Sequence, residues 1–365
     1  MGLQLSALIE NKINLCAVGD LSFGDSPKML GLGVRAETFK HGGDYLFSNV
    51  QATLNADLVF GNLEGVLSDQ GYSKNSFHYS QLRGHPFIAR VMNRAGFNVV
   101  NVANNHMMQY GPEAFIETYQ LLIDQGISVV GLKGEGKWWS NPAIININGV
   151  TVGFLGYADS DKYGFEPLFA LNLHDRVLED VSRLRPFVDI LIVSLHWGDE
   201  FIRAPSCSQR EYAETIIDTG VDLILGHHSH VIQGVESYRN GWICYSLGNF
   251  ISDMVWNPRT CEGLMTFFTL DREGVRFSQL KKVLIGKDFK PTTKTMNLEE
   301  LRAITSSDEA MAVTCNGYEI MCRSRIKENR KLAHLFLFAN FFRYSPMIFI
   351  KTCWNSFLSF LGVRC

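Results

Sequence analysis

Short apolar runs rich in β-branched residues recur along most of the chain, and each ends in a small polar cluster: Ile13 to Val18, Leu58 to Phe60, Val99 to Val102, Val150 to Leu155, Ile190 to Leu195, Leu223 to Leu225 and Ile243 to Tyr245. A continuous apolar run of that length suits a strand covered on both faces. Between several of them lie helix patterns that stop at glycine, where positive φ is cheapest. These are Phe87 to Ala95 before Gly96, Pro112 to Gln125 before Gly126, and Gln209 to Thr219 before Gly220. Alternating strand and helix predict a layered α/β domain.

The 365 residues, 46% hydrophobic and 19% charged, are enough to bury a large core. A net charge of -3 argues against a nucleic-acid binder driven by phosphate neutralisation. From Thr266 to Ile285 two alternating segments flank Asp271-Arg272-Glu273-Gly274, a hairpin signal that closes the domain. The main domain is therefore expected over 12–286. The polar, threonine-rich stretch 287–322 reads as a linker or loosely packed crossing.

The segment 323–365 reads as a basic, apolar helical tail. Its eight basic residues face one acid, Glu328, and Arg343 and Lys351 interrupt the apolar stretch before it reaches the roughly 18 to 20 residues a spanning helix needs. Three readings stay open: an interfacial anchor on an anionic bilayer, a helix docked on a partner, or a helical pair packed on the core. The N-terminus lacks the pattern of a signal peptide, so the expected location is cytoplasmic, with peripheral contact at the inner face of the membrane through the tail. The eight cysteines show no CxxC spacing and suggest neither a zinc knuckle nor a disulfide scaffold.

The polar residues that end the apolar runs carry the chemistry. Asp20 ends INLCAVGD, Glu64 ends DLVFGNLE, Asn105 and His106 end NVVNVANNH, His196 ends DILIVSLH, and His227, His228 and His230 follow VDLILG. In open α/β sheets the carboxyl ends of the strands converge on one crevice. Carboxylate, amide and imidazole without thiolate suit a borderline divalent ion, manganese, iron or zinc. Glu64 is able to bridge two ions. His228 and His230, two apart on an extended segment, would point to one face. Taken singly, an Asp after a strand or an Asn-Asn before a turn is commonly a cap or an Asx-turn. Five strand ends carrying ligand types together outweigh that reading.

At this point the chain resembles the CapA-type capsule-synthesis and poly-gamma-glutamate-synthesis proteins of the calcineurin-like metallophosphoesterase superfamily. The resemblance covers roughly Ile13 to Asp253 through AVGD, GNLEG, AGFNVVNVANNH with YG shortly after, HWGDEF, GVDLILGHHSHVIQ and YSLGNFISD. It implies a four-layer sandwich of two mixed β-sheets flanked by helices, to which the tail adds a C-terminal helical extension. It also implies two divalent ions: Asp20 and His230 on the first, Asn105, His196 and His228 on the second, Glu64 between them. His106 resembles the superfamily's proton donor to a leaving group, with His227 a neighbour rather than a ligand.

Arg83 in LRGHP matches a family arginine able to clamp an anionic group. Glu200, Gln209 and Asn249 match positions that serve either structural support or substrate contact. Two departures stand out. Ser22 occupies the place of the histidine in the DxH of two-metal phosphoesterases, as in the family resembled, and Gln109 replaces the family's usual aspartate before YG. The resemblance implies work in capsule or poly-gamma-glutamate biosynthesis with a phosphoesterase-type hydrolase site acting on an anionic polymer or phosphoester. The alternative is a non-catalytic, metal-binding accessory or assembly factor that meets polymer synthase subunits.

Overall fold

The computed structural model describes residues 12–71, 81–305 and 315–360. The leader reading made on the first residues, and the end of the tail at 361–365, lie outside the described residues. In chain order the first strands are β1 (Ile13–Leu21), β2 (Leu58–Leu63), β3 (Val99–Asn101), β4 (Ser128–Val130), β5 (Ala143–Ile147), β6 (Val150–Ala158) and β7 (Ile190–His196). They are followed by β8 (Leu223–His227), β9 (Val235–Tyr238), β10 (Gly241–Cys244), β11 (Asn249–Ile251), β12 (Glu262–Asp271), β13 (Gly274–Ile285) and β14 (Pro291–Thr295). The helices are α1 (Val34–His41), α2 (Ile88–Ala95), α3 (Pro112–Asp124), α4 (His174–Leu184), α5 (Cys207–Asp218), α6 (Leu298–Thr305), α7 (Cys315–Ala339) and α8 (Pro346–Phe360).

Two mixed sheets result. The first runs β14-β13-β12-β1-β2-β3-β4, with β11 paired to β1, and the second runs β5-β6-β7-β8-β10-β9. Strand periodicity sorts the apolar residues into layers. On β1, Ile13, Leu15 and Ala17 join Leu58 and Phe60 of β2 and Ile190 and Ile192 of β7 in the core between the sheets. Cys16 and Val18 turn the other way and pack under α2 and α3 with Val59, Ile88, Val91 and Phe115. On β7, Leu191, Val193 and Leu195 turn outward to α4 and α5, meeting Val181, Leu184 and Ile216. The order is helix, sheet, sheet, helix, the expected four-layer sandwich.

The Asp271-Arg272-Glu273-Gly274 signal closes the β12–β13 hairpin, paired from Asp271↔Gly274 to Glu262↔Leu284 with a bulge between Phe267 and Phe268. The sheet does not end at 286. Residues 291–295, inside the stretch read as a loose crossing, form β14 on β13, and their polarity fits an edge strand with solvent on one side. Beyond α6 the tail forms α7 and α8, joined by the short 3₁₀ turn Phe341–Arg343. Among the described residues no helix is long and apolar enough to cross a membrane.

The loop after β1 meets the loop after β11 through a buried pair of carboxylates. Asp25 accepts from Gly31 and Ala36 N–H, and Asp253 accepts from Ser26 N–H at 2.8 Å. Burial first, then the Asp25 carboxylate, pushes Asp253 up to about 7. A carboxyl whose folded pKa lies above its unfolded value of about 4 binds its proton more tightly when folded, so stability falls as pH rises through that window. Asp253→Asn is therefore expected to gain on the order of 2 kcal/mol over wild type at pH 8 and to lose that advantage near pH 4. Melting temperatures of both proteins at the two pH values check the sign.

Candidate metal centre

The six predicted ligand residues come together at the carboxyl ends of parallel strands drawn from both sheets. Asp20 is the penultimate residue of β1, Glu64 directly follows β2, Asn105 stands in the turn after β3, His196 is the last residue of β7, and His228 and His230 follow β8. Glu64 is central. Its Oε1 lies 3.8 Å from His196 Nε2 and 3.6 Å from His230 Nε2. Asn105 Oδ1 is 2.9 Å from His196 Nε2, the His196 and His228 rings are 4.6 Å apart, and His230 Nδ1 is 3.4 Å from Asp20 Oδ2. Two ligand groups result, Glu64 with His196 and His228, and Asp20 with Glu64 and His230; within each, the ligand atoms lie within 4.8 Å of one another. Atoms bound to one ion at ~2.1 Å stand ~3–4 Å apart, so both spacings suit an ion.

The electrostatics point the same way. Both carboxylate oxygens of Glu64 are buried with no hydrogen-bond partner among the described residues. A buried carboxylate in that position costs several kcal/mol unless positive charge stands beside it. Burial pushes Glu64 up to about 8 against the pull of His230. Burial alone would pull His230 down, but Glu64, Asp20 and Glu200 outweigh it and hold it up at about 10. Burial lowers His196 well below its ordinary range and His228 to about 4, which keeps both imidazoles neutral and ready to donate a lone pair. The oxygen and nitrogen donors, the orphaned Glu64 oxygens and the neutral histidines fit divalent ions.

The turn that carries the histidine pair differs from the extended segment expected. His228 and His230 both have positive φ, 93° and 57°. Left-handed backbone at two non-glycine residues costs of order 1–3 kcal/mol each and persists only where the surroundings enforce it. Here Ser229 does so: its Oγ donates to Val231 O and lies 2.8 Å from Ser246 Oγ, and its carbonyl accepts from Phe201 N–H. The rings converge through a strained turn, not through strand periodicity.

A polar ladder missed in the sequence supports the ligands. Asp20, Asn62 and Asn101 are in register on β1, β2 and β3. Asn101 Oδ1 accepts from Ala103 N–H and its Nδ2 donates to Ala103 O, which fixes the amide. Asn101 Nδ2 also donates to Asn62 Oδ1, so Asn62 Nδ2 donates to Asp20 Oδ1 at 2.8 Å and stands 3.2 Å from His196 Nδ1. The available signal was an asparagine closing each apolar run. Asn249 plays the matching part for His230. Its Nδ2 donates to Thr260 O, so its Oδ1 accepts from His230 Nδ1 at 3.1 Å and turns Nε2 toward Glu64.

The remaining predicted residues fall in three places. His106 presents Nε2 to Glu64 at 3.9 Å, while its Nδ1 meets Gln109 Oε1 at 3.2 Å and the Tyr163 hydroxyl at 3.0 Å. Tyr163, also absent from the sequence reading, donates to Gln109 Oε1. Glu200 lies at the rim, 3.4 Å from Lys162 Nζ, and His227 is buried with Nδ1 3.3 Å from Asp20 Oδ1. Arg83 and Gln209 are engaged in the scaffold. Arg83 is buried, donates to the Ser68 and Gln70 carbonyls and stacks on Tyr110 at 4.1 Å, so its fork pins a loop, which fits the supporting side of the two roles open to it. Gln209 closes the capping box of α5 with Ser206.

Known proteins match this chain in sequence. The family described as bacterial capsule synthesis protein PGA_cap matches residues 14–254, the span that holds every candidate ligand and both sheets' central strands. The chain belongs to this family. Curated PGA_cap relatives include the capsule biosynthesis protein CapA of Bacillus anthracis, 32% identical over 272 residues, 71% of this chain and 64% of that protein. The PGA biosynthesis protein CapA of Bacillus subtilis is 32% identical over 256 residues, 67% of this chain and 66% of its own length. The chain thus spans just under two thirds of these relatives. Among solved structures, the 5'-nucleotidase of Candida albicans superposes with a TM-score of 0.41 at 12% identity, over 88% of this chain and 58% of that one.

Proposed function

We propose that this chain works in the synthesis of a bacterial capsule or a poly-gamma-glutamate-type anionic polymer, and that its strand-end site, holding two divalent ions, hydrolyses or transfers a phosphoester-type bond. Family membership supports the first half. The second half rests on one observation, that Glu64 belongs to both ligand groups. Asn105, His196 and His228 with Glu64 would hold one ion, and Asp20 and His230 with Glu64 the other. Bound ions of this kind lower the pKa of water and polarise a phosphoryl oxygen.

His106 handles the proton. Its Nδ1 side is occupied by Gln109 and Tyr163, which leaves Nε2 to give a proton to the departing oxygen. Burial, then Lys162, holds His106 down at about 3, so the ring is neutral at neutral pH and a poor acid. Gln109→Asp would place a countercharge on Nδ1 and favour the imidazolium. The expected result is a rate about tenfold higher at pH 7 on substrates with poor leaving groups, with the alkaline limb of the kcat profile, where the acid loses its proton, moved to higher pH. An unchanged profile and rate would remove His106 from the acid role.

The test of the main reading is ion content by elemental analysis, together with hydrolysis of bis-p-nitrophenyl and p-nitrophenyl phosphate in added manganese. A chain that binds ions tightly yet cleaves neither ester overturns the phosphoesterase half. The neutral Gln109 beside His106 favours a second reading, an accessory or assembly factor that meets polymer synthase subunits and binds polymer at the site without turning it over. Polymer production that survives Glu64→Ala and His196→Ala, but not removal of residues 323–365, decides for that reading.

A further inference from the structure

The helical tail is built inside out relative to an ordinary surface helix. On α7, Asn329, Ala333 and Leu337 are buried at helical spacing against the domain. The opposite stripe carries Lys327 and Lys331, then Leu335 and Phe338, all exposed. The connecting turn exposes Phe341 and Phe342, and α8 continues outward with Met347, Ile350 and Trp354, each more than half exposed. Large apolar side chains gathered on one outward face mark a contact with something apolar. The charge around them is of one sign. Arg323, Lys327, Arg330, Lys331, Arg343 and Lys351 are all exposed, and from 323 to 354 the single acid is Glu328, which Arg259 and Arg325 already hold.

We propose that the outward face of α7 and α8 seats the protein in the plane of an anionic lipid surface, with the aromatic and aliphatic side chains among the acyl chains and the basic ones at the headgroups. An amphipathic helix with basic residues beside an aromatic, apolar face has this behaviour, and the electrostatic part reaches only a Debye length from the surface. The seat is fixed to the domain at two points. Tyr344 donates to Lys28 O at 2.6 Å in the loop after β1. Asn329 Oδ1 accepts from Trp256 Nε1 and Asn257 Nδ2 in the segment after β11. Those two loops follow the strands that carry Asp20 and Asn249, so seating the tail sets the direction the strand-end site faces relative to the bilayer. The inference does not depend on whether that site hydrolyses anything.

The full chain should sediment with phosphatidylcholine vesicles containing about 30 mol% phosphatidylglycerol and bind pure phosphatidylcholine at least about tenfold more weakly, with the difference removed by high salt. Phe342→Asp with Ile350→Asp should abolish binding. Arg343→Glu with Lys351→Glu should weaken it more than about tenfold without touching the apolar face. Both pairs change exposed residues, and an unchanged circular dichroism melt confirms folding. Wild-type protein that ignores the anionic vesicles overturns the proposal. In that case light scattering assigns the face: a dimer that Phe342→Asp with Ile350→Asp dissociates makes it a contact between copies, and a monomer leaves it to another protein.

Discussion

Glu64→Gln should empty both ligand groups at once, whereas His196→Ala and Asp20→Asn should each empty only one. The expectation follows from geometry alone, because Glu64 is the residue the two groups share. A ligand that binds only the folded state at a hundred times its Kd adds about 2.7 kcal/mol, so manganese should raise the wild-type melting temperature by several degrees. In Glu64→Gln the response should fall below about 1 °C. Elemental analysis should find ion content near zero in that variant and about half of wild type in the other two, and esterase activity should drop by more than about a hundredfold in Glu64→Gln. Glu64→Gln that keeps one tightly bound ion would falsify the bridging role. A second dependence comes from His230, which the carboxylates hold up at about 10. An ion taken by that ring displaces its proton, and below about pH 8 the one on Glu64 as well, so affinity should rise with pH by at least about tenfold per unit between pH 7 and 9.

Much of this site was legible in the sequence because its logic is local. Each ligand type closes an apolar run, and apolar runs are the most readable element of a parallel sheet. What escaped reading depends on contacts between distant segments. Asn62 and Asn101 look like ordinary strand-end amides until the parallel register sets them beside Asp20. Tyr163 stands in a loop with no periodicity, yet it completes the contacts of His106. Arg83 was readable only as a residue type: its motif leaves support and anion contact open, and the carbonyls of Ser68 and Gln70 that accept from it come from a segment the motif does not contain. The histidine turn was placed correctly and given the wrong conformation, since left-handed backbone at His228 and His230 is enforced by Ser229 and its partners, not by local preference. Short or polar elements also went unread. The three-residue strands β4 and β11 are below the length at which alternation carries information, and α1 mixes charged and apolar positions without a clear face.

The glycine before Asp20 should prove as sensitive to substitution as a ligand. A Cβ at Gly19 would stand 2.0 Å from Gly248 O and 2.9 Å from Leu247 O, both main-chain atoms that cannot swing aside. Gly248 is itself in the left-handed region at φ 66°, and its carbonyl accepts from Asp20 N–H at 2.9 Å. Gly19→Ala must push β11 away from β1, which breaks the Asp20↔Asn249 register and with it the Asn249 contact that orients His230. The expected cost is more than about 3 kcal/mol of stability, with the ion held by Asp20, Glu64 and His230 weakened far more than the one beside His196 and His228. Gly126→Ala is the control for a pure backbone penalty without a steric clash, because φ there is 72° and nothing lies within 4 Å of the added carbon, whereas Gly19 has no positive φ. It should cost about 1 kcal/mol and leave ion binding unchanged. Chemical denaturation and ion titration of the two variants separate the effects: a loss at Gly19→Ala no larger than at Gly126→Ala, with ion binding kept, would mean that β11 yields without cost, and a larger loss with weakened ion binding would tie the AVGD glycine to the close approach of β11 that shapes the site.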